Sequence, residues 1–598
     1  MVPPAKKFIN NPNDVVTEFI EGLVETYPGL QYLDGLPEIK VVLRADVSAA
    51  NYDKVAVISG GGSGHEPAQA GYVGEGMLTA AICGDVFASP PVDSILAVRD
   101  SSCNWSKRMP LVITNYTGDR LNFGLAAEQA KTEGFQIEMI VLYPRPRGIA
   151  GRRGLAGTIL VHKVAGAAAA AGLSLAEVAA EAKHASEMVG TMGVALSVCT
   201  LPGQVASDRL GPEKMELGLG VHGEPGAAVV DIQPVEVVVS HVLQQILSPE
   251  TNYVPITRGN SVVLMVNGFL LFCSLGGSPL MELLIAAGKA VPKLQLEFGL
   301  AVDRVYTGSF MTSLDMAGFS ISIMKADQSI LERLDAPTKA PSWPVGTNGN
   351  RPPEKIPVPL PFQATKSQES PSRPQELSQQ GQVLEAAIEA AATVVINLKD
   401  SLNEWDGKVG DGDCGSTVSP MCRGATAILE DMKNYYPLND AAETVSEIGS
   451  SIRRVMGGTS GIIYNLLCKA AYAELKANGQ PETTPKHLSD ALKAAISAVS
   501  KYGGATAGYR TMLDALIPAS KILEEKLSVG EDPITAFVLS AEAATTGAES
   551  TIHMQAQAGR SSYVSAEILA SIPDPGAMAA AAWYSAAARA VKEKSQGL

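Results

Sequence analysis

Ten prolines fall between Pro337 and Pro374, at 337, 341, 344, 352, 353, 357, 359, 361, 371 and 374. Proline fixes its own φ and disfavours helix in the residue before it, so no helix or sheet runs through this stretch. Apolar periodicity stops here, and Ser, Gln and Lys fill the gaps. We read residues 336–379 as a linker between a first part, 1–335, and a second, 380–598. A chain of 598 residues is in any case too long for one core.

The first part alternates strand and helix patterns. Apolar runs KVAVISGGG (54–62), LVITNY (111–116), IEMIVLY (137–143) and SVVLMVN (261–267) read as buried strands. Helical patterns such as FGLAAEQAKTEG (123–134) and LVHKVAGAAAAAG (160–172) lie between them. This predicts an α/β domain with parallel strands, whose ligands bind at loops after strand carboxyl ends. The apolar stretch 261–287 is broken by Asn267-Gly268 and Gly276-Gly277-Ser278-Pro279 and carries Glu282, so it reads as strand, turn and helix start rather than a membrane span. The second part shows only helical patterns, from VLEAAIEAAATVVINL to GAMAAAAWYSAAARAVKEK, which predicts an all-α bundle.

Composition narrows the function. The net charge of -15 disfavours nucleic acid as a partner, since phosphate contacts need a basic surface. Seven cysteines include no CxxC pair, and the odd count argues against a disulfide framework. No apolar secretory segment opens the sequence, so a cytoplasmic protein is expected.

Two histidines stand apart. His65 in GGGSGHEP and His222 in GLGVHGEPG both sit among glycines and precede Glu-Pro, a setting that leaves an imidazole unobstructed. Asp119 lies on the loop NYTGDRLNF. Together they suit acid, base and nucleophile roles. His162, His184, His241, His487 and His553 have ordinary settings. The first loop lacks the last glycine of GxSxG, and a zinc site from two histidines and an aspartate stays open. In the second part Asp406, Asp411 and Asp413 form D-x4-D-G-D, hard oxygen ligands that suit Mg²⁺. The EF-hand spacing is not met. The loop MGGTSG precedes an apolar helix whose N–H groups could take phosphate oxygens, although no P-loop pattern occurs.

GGGSGHEP, NYTGDRLNFGLA, GRRGLAGT and ELGLGVHGEPG resemble the substrate domain of dihydroxyacetone kinases. DGDCGST, MGGTSG, RTMLDAL, AGRSSY and DPGA resemble their nucleotide domain. The order is similar to the single-chain, ATP-dependent type, whose members include bifunctional triokinase/FMN cyclases. The resemblance implies two α/β subdomains before the linker and a helical barrel after it. It implies transfer of the ATP γ-phosphoryl group to dihydroxyacetone or glyceraldehyde. His222 would bind the ketone as a hemiaminal, and His65 and Asp119 would hydrogen-bond it, with Asp119 as base. Gly62, Ser63, Gly64 and Thr114, the last standing where a lysine is frequent, would line the pocket. Asp406, Asp411 and Asp413 would hold Mg²⁺. Asp413, Cys414, Gly415, Ser416, Thr459, Ser460, Gly503, Thr511, Met512, Arg560, Asp574, Pro575 and Gly576 would contact the nucleotide.

A homodimer is implied as well. Two further readings stand beside the kinase: an FAD-AMP lyase at the same nucleotide site, which Mn²⁺ or Co²⁺ could serve, and a binding or regulatory relative. The chain departs from the family pattern at 99–110, at 140–151, which is short, and at the extra FLLFCS of 269–274.

Overall fold

The computed structural model describes residues 7–47, 53–100, 107–142, 154–207, 209–251, 253–269, 279–344, 372–409, 420–456, 458–477, 483–558, 562, 564 and 566–596. The chain divides into two compact units, Met1–Val358 and Pro359–Leu598.

Unit 1 holds two sheets, each of six strands among the described residues. The first comprises β1 (Leu30–Tyr32), β2 (Val41–Arg44), β3 (Ile58–Ser63), β4 (Ala80–Val86), β5 (Arg108–Ile113) and β6 (Gln136–Val141), in the order β1-β2-β4-β3-β5-β6. Its β4-β3-β5-β6 portion is parallel, as the strand–helix alternation predicts. The second comprises β7 (Val189–Ala195), β8 (Lys214–Leu217), β9 (Ala228–Asp231), β10 (Ser261–Gly268), β11 (Ala301–Gly308) and β12 (Gly318–Lys325), in the order β11-β10-β12-β7-β8-β9. Here only β10 and β11 run parallel. The other pairs are antiparallel, so the expectation of parallel strands fails for this sheet.

The helix Gly157–Ala170 explains how the sheets share a core. Nearly every residue on it is buried, and it touches β5 of one sheet and β7 and β12 of the other. An Ala- and Val-rich helix is apolar on all sides, so it is stable only when covered all round. The stretch 261–287 resolves into β10 and the helix Leu280–Pro292, and residues 270–278 between them lie outside the described set. No single described helix is long and apolar enough to cross a membrane.

Among the described residues, unit 2 is built on a ring of eight helices, with the further helices Lys399–Val409 and Ala566–Leu569 beside them. Gln379–Asn397, Pro420–Asn434, Ala441–Val455, Gly458–Ala477, Pro485–Gly503, Leu513–Ser528, Pro533–Ser550 and Pro575–Gln596 each pack on the next, and the last returns to the first. This is the helical barrel the resemblance implied. Short side chains let the helices approach closely. Ala515, Ala519, Ala541, Ala544, Ala548, Ala577, Ala580 and Ala581 form much of one core cluster.

The linker range of 336–379 is narrower in the structure. Residues 336–344 still lie on unit 1: Lys339 N–H donates to Glu75 O, Ser342 N–H donates to Gly71 O, and Trp343 is buried against Tyr306. At the far end, Arg373 pairs with Glu385, and Ser378 caps the helix Gln379–Asn397. Residues 345–371 are outside the described set.

Candidate active site

Strand β3 ends in Gly60–Ser63, and the chain turns sharply to His65. Gly64 has φ +98°, and a Cβ there would lie 2.7 Å from the Phe87 ring, so only glycine fits. Phe87 thereby stacks on His65, with ring centroids 5.0 Å apart and planes 15° from parallel. His65 Nδ1 donates to Thr312 O at 2.9 Å, which leaves Nε2 as an acceptor. Burial, with His222 as a second cause, lowers the His65 pKa to about 4, so its ring is neutral at ordinary pH.

His222 lies on the loop between β8 and β9. Its ring centroid is 5.0 Å from that of His65, 4.8 Å from Phe87 and 4.7 Å from Tyr116. Three rings thus wall a half-buried imidazole. The loop is pinned from several directions. His222 N–H donates to Glu224 Oε2 at 2.9 Å, the Tyr116 hydroxyl donates to Glu224 Oε1 at 3.3 Å, and the Ser313 hydroxyl donates to Val221 O. The segment 312–314 also bonds the first loop, through Thr312 N–H to His65 O and Leu314 N–H to Gly64 O. One short segment therefore ties both histidine loops together.

Asp119 lies in the first turn of the helix Thr117–Thr132, which follows β5, and Tyr116 is that helix's N-cap. Its carboxylate accepts from Ser89 Oγ at 2.5 Å and Thr114 Oγ1 at 2.9 Å. Burial raises its pKa, and the two hydroxyls oppose that rise. A Cβ on Gly61 would lie 3.5 Å from Asp119 Oδ2, so the glycine loop and this carboxylate face each other. His65, His222, Asp119, Thr114 and the Gly61–Gly64 loop are thus brought together. The Ser63 hydroxyl is turned away, donating to Gly84 O at 2.8 Å. Sequence reasoning missed Phe87, Tyr116 and Ser89. Phe87 has φ +58°, which nothing in its own sequence signals.

In unit 2 the nominated nucleotide residues cluster at helix N-termini. Thr459 and Ser460 lie in the first turn of Gly458–Ala477. Met512 precedes Leu513–Ser528, and Asp574 precedes Pro575–Gln596. A Cβ on Gly576 would sit 4.0 Å from Met512 N, so the last two termini meet. Helix N-termini complement phosphate oxygens; at the last two, Leu513 N–H and Ala577 N–H already donate to Thr511 Oγ1 and Asp574 Oδ1. Thr511 hydroxyl accepts from Leu513 N–H, and Thr511 N–H donates to Asp514 Oδ2. Burial lifts the Asp574 pKa to about 6. Gly503 ends its helix, and the left-handed cap falls on Gly504 at φ +69°. Asp406 lies on the backbone of the helix Lys399–Val409. Asp411, Asp413, Cys414, Gly415, Ser416 and Arg560, and most of the departures at 99–110, 140–151 and 269–274, lie outside the described residues. Phe269, which opens the last of these, is buried. Among the described residues no cluster of three or more His, Cys, Asp or Glu side chains could hold a metal.

Buried Arg510 was not anticipated. It is 1 % exposed with φ +60°, and Nη2 donates to Ile572 O at 2.8 Å and Leu569 O at 3.4 Å. Nη1 lies 3.8 Å from Asp574 Oδ2.

The chain matches the Dak1 domain family over residues 21–342 and the DAK2 domain family over 408–589. A Solanum lycopersicum protein, provisionally named a 3,4-dihydroxy-2-butanone kinase, is 74% identical over 99% of both chains. A Rattus norvegicus triokinase/FMN cyclase is 39% identical over 99% of this chain and 100% of its own. The crystal structure of the C. freundii dihydroxyacetone kinase with AMP-PNP and Mg²⁺ is 34% identical, with TM-score 0.63, covering 98% of this chain and 99% of that one. The chain belongs to the dihydroxyacetone kinase family, with its Dak1 and DAK2 domains in one polypeptide.

Proposed function

We propose that the chain is an ATP-dependent kinase of short-chain hydroxycarbonyl compounds, with dihydroxyacetone as substrate and glyceraldehyde as a second. The observation that carries this is the His222 imidazole, set on a glycine loop and boxed by His65, Phe87 and Tyr116. The pocket favours a small planar carbonyl beside a nucleophilic nitrogen.

A ring nitrogen of His222 attacks the carbonyl carbon, a C–N bond forms, and the C=O electron pair moves to oxygen, which takes up a proton as the ring's other nitrogen releases its own, leaving a neutral hemiaminal. Neutral His65 accepts a hydrogen bond at Nε2 from a substrate hydroxyl. Asp119 withdraws the proton from the terminal hydroxyl as that oxygen meets the γ-phosphorus of ATP. Thr459, Ser460, Thr511, Met512, Arg560, Asp574, Pro575 and Gly576 orient the nucleotide, with Asp413, Cys414, Gly415 and Ser416 on the acidic loop. Asp406, Asp411 and Asp413 would hold Mg²⁺, which offsets triphosphate charge. Glycerol has no carbonyl to trap, so it is a poor substrate.

ADP release with ATP, Mg²⁺ and dihydroxyacetone tests the reading. The wild type turns over, and His222→Ala loses at least about a thousandfold in kcat/KM, the loss expected for a covalent nucleophile. Full activity in His222→Ala would overturn the mechanism. 3,4-Dihydroxy-2-butanone belongs in the same assay, given the tomato relative's name.

The mammalian relatives' names support a second reading, an FAD-AMP lyase that releases AMP and cyclic FMN at the nucleotide site with Mg²⁺, Mn²⁺ or Co²⁺. It does not need His222, so His222→Ala spares it while Asp411→Ala abolishes both activities. We also propose a cytoplasmic homodimer. None of the described cysteines Cys83, Cys199, Cys422 and Cys468 is in a disulfide, as a reducing compartment would leave them.

A further inference from the structure

The loop that carries His222 is held at two points by an ion pair whose carboxylate is buried. β8 supplies Glu216, which is 1 % exposed. Its Oε1 accepts from Gly226 N–H at 2.7 Å and from Arg209 Nη1 at 3.1 Å, and its Oε2 accepts from Arg209 Nη2 at 2.7 Å. The same Nη2 donates to Gly223 O at 3.1 Å. Gly223 follows His222 directly, and Gly226 closes the loop. Gly226 is itself wedged at the neck, where a Cβ would meet Leu217 O at 2.4 Å and Leu219 N at 2.6 Å.

A carboxylate this deep is retained at a cost unless it is paired and fully hydrogen-bonded. Here its bonds go to the loop and to the guanidinium that also grips the loop. The fork geometry of arginine matters, because one guanidinium serves the carboxylate bidentately and still reaches a carbonyl. The backbone of His222 donates to Glu224, and its ring is bounded by three aromatic neighbours. Leu219 and Val221 pack into the core on the near side of His222, while glycines at 218, 220, 223 and 226 supply no side-chain packing of their own, so the far side, 223–226, relies on hydrogen bonds.

We propose that Arg209 and Glu216 are positioning residues for His222, a clamp that holds the glycine loop so that the ring nitrogen meets the carbonyl carbon at bonding distance. This rests on the His222 reading above. Neither residue touches substrate. The clamp adds to the bonds from Tyr116 and Ser313 and narrows the conformations open to the loop, and misplacement of a reacting atom by about an ångström costs about a hundredfold in rate.

The test uses the full chain with Arg209→Met, Arg209→Lys, Glu216→Gln and His222→Ala. For each, KM and kcat are measured for dihydroxyacetone and for ATP, the ketone adduct is read by intact mass after trapping, and thermal stability is recorded. Arg209→Met is the primary variant, because Arg209 lies at the surface end of the pair and Glu216→Gln risks misfolding. The clamp requires that Arg209→Met lower kcat/KM for dihydroxyacetone about tenfold to a hundredfold and reduce the trapped adduct, with KM for ATP unchanged. Arg209→Lys, which keeps charge but not the fork, recovers only part of the loss. Arg209→Met with wild-type ketone kinetics and adduct overturns the clamp, even if its melting temperature falls. A raised KM for ATP beside the loss also overturns it, since that marks general destabilisation. His222→Ala separates the two layers of the argument: if it keeps full ketone turnover, the His222 reading is wrong. If it is inactive while Arg209→Met is unchanged, only the clamp is wrong.

Discussion

Asp119 is pulled two ways. Burial favours its neutral form, and the hydroxyls of Ser89 and Thr114 favour its charged form by donating to it. As base it must be ionised, so acid should silence the enzyme as Asp119 takes a proton. Ser89→Ala removes one donor, which makes the carboxylate less stable relative to the acid and raises its pKa. The acid limb of kcat/KM for dihydroxyacetone should move to higher pH by about one unit, since a hydrogen bond to a charged group contributes about 1.5–3 kcal/mol and one pKa unit is about 1.4. A limb that stays put would show that Asp119 does not set it. His65 is the natural rival for that limb. Its ring is depressed to about 4, and Ser89 makes no bond to it, so a limb set by His65 would stay put in Ser89→Ala. Folding stability follows a different sign: a histidine at about 6.5 unfolded and about 4 folded binds its proton more readily when unfolded. Unit 1 should lose stability from this group as pH falls from about 6.5 to about 4, and buried His162, lowered likewise to about 4, adds to that loss.

At the level of elements, what the sequence disclosed was periodic or glycine-marked. The strands β3, β5, β6 and β10 overlap the apolar runs of 54–62, 111–116, 137–143 and 261–267, and the loops of His65 and His222 announce themselves by glycine. The antiparallel sheet was harder to read. β7 is VGTMGVA and β12 is GFSISIMK, where glycine and serine interrupt the apolar pattern, and both are buried by neighbours distant in the chain. Glu216 and Arg209 had no signal either, because a charged pair reads as surface until the fold buries one member. Arg510 is the sharpest case. It sits in RTMLDAL, yet its guanidinium is sealed inside the helical ring and joins two segments that carry nominated nucleotide residues, 511–512 and 574–576. Arg510→Met should destabilise unit 2 by about 3 kcal/mol. It leaves two buried carbonyls without their donor and Asp574 without its counter-charge. It should also push the Asp574 pKa further up. Calorimetry on the full chain measures the first effect, and a change below about 0.5 kcal/mol would show that the pair only balances its own desolvation cost.

At the scale of the whole molecule, the question is where one unit stops. Proline content placed the linker from 336, because proline and polar residues look alike whether they are free or docked. Docking is visible only in three dimensions. Lys163, buried on the helix Gly157–Ala170, donates to Arg333 O at 2.8 Å and to Ala336 O at 2.6 Å, and so closes the end of the helix Gln328–Asp335. The chain then runs across the loop of Gly71–Gly76, with Ala340 and Trp343 buried. Trp343 packs on Tyr306 of β11 with centroids 5.1 Å apart. This strap belongs to the core of unit 1, where truncating a buried tryptophan costs about 3–5 kcal/mol. Trp343→Ala in the full chain should therefore lower the unfolding free energy of unit 1 by about that amount, read by denaturant titration, and leave the unfolding of unit 2 unchanged. A linker residue would give a change within about 0.5 kcal/mol, as surface substitutions do, and that result would move the boundary of unit 1 back to 335.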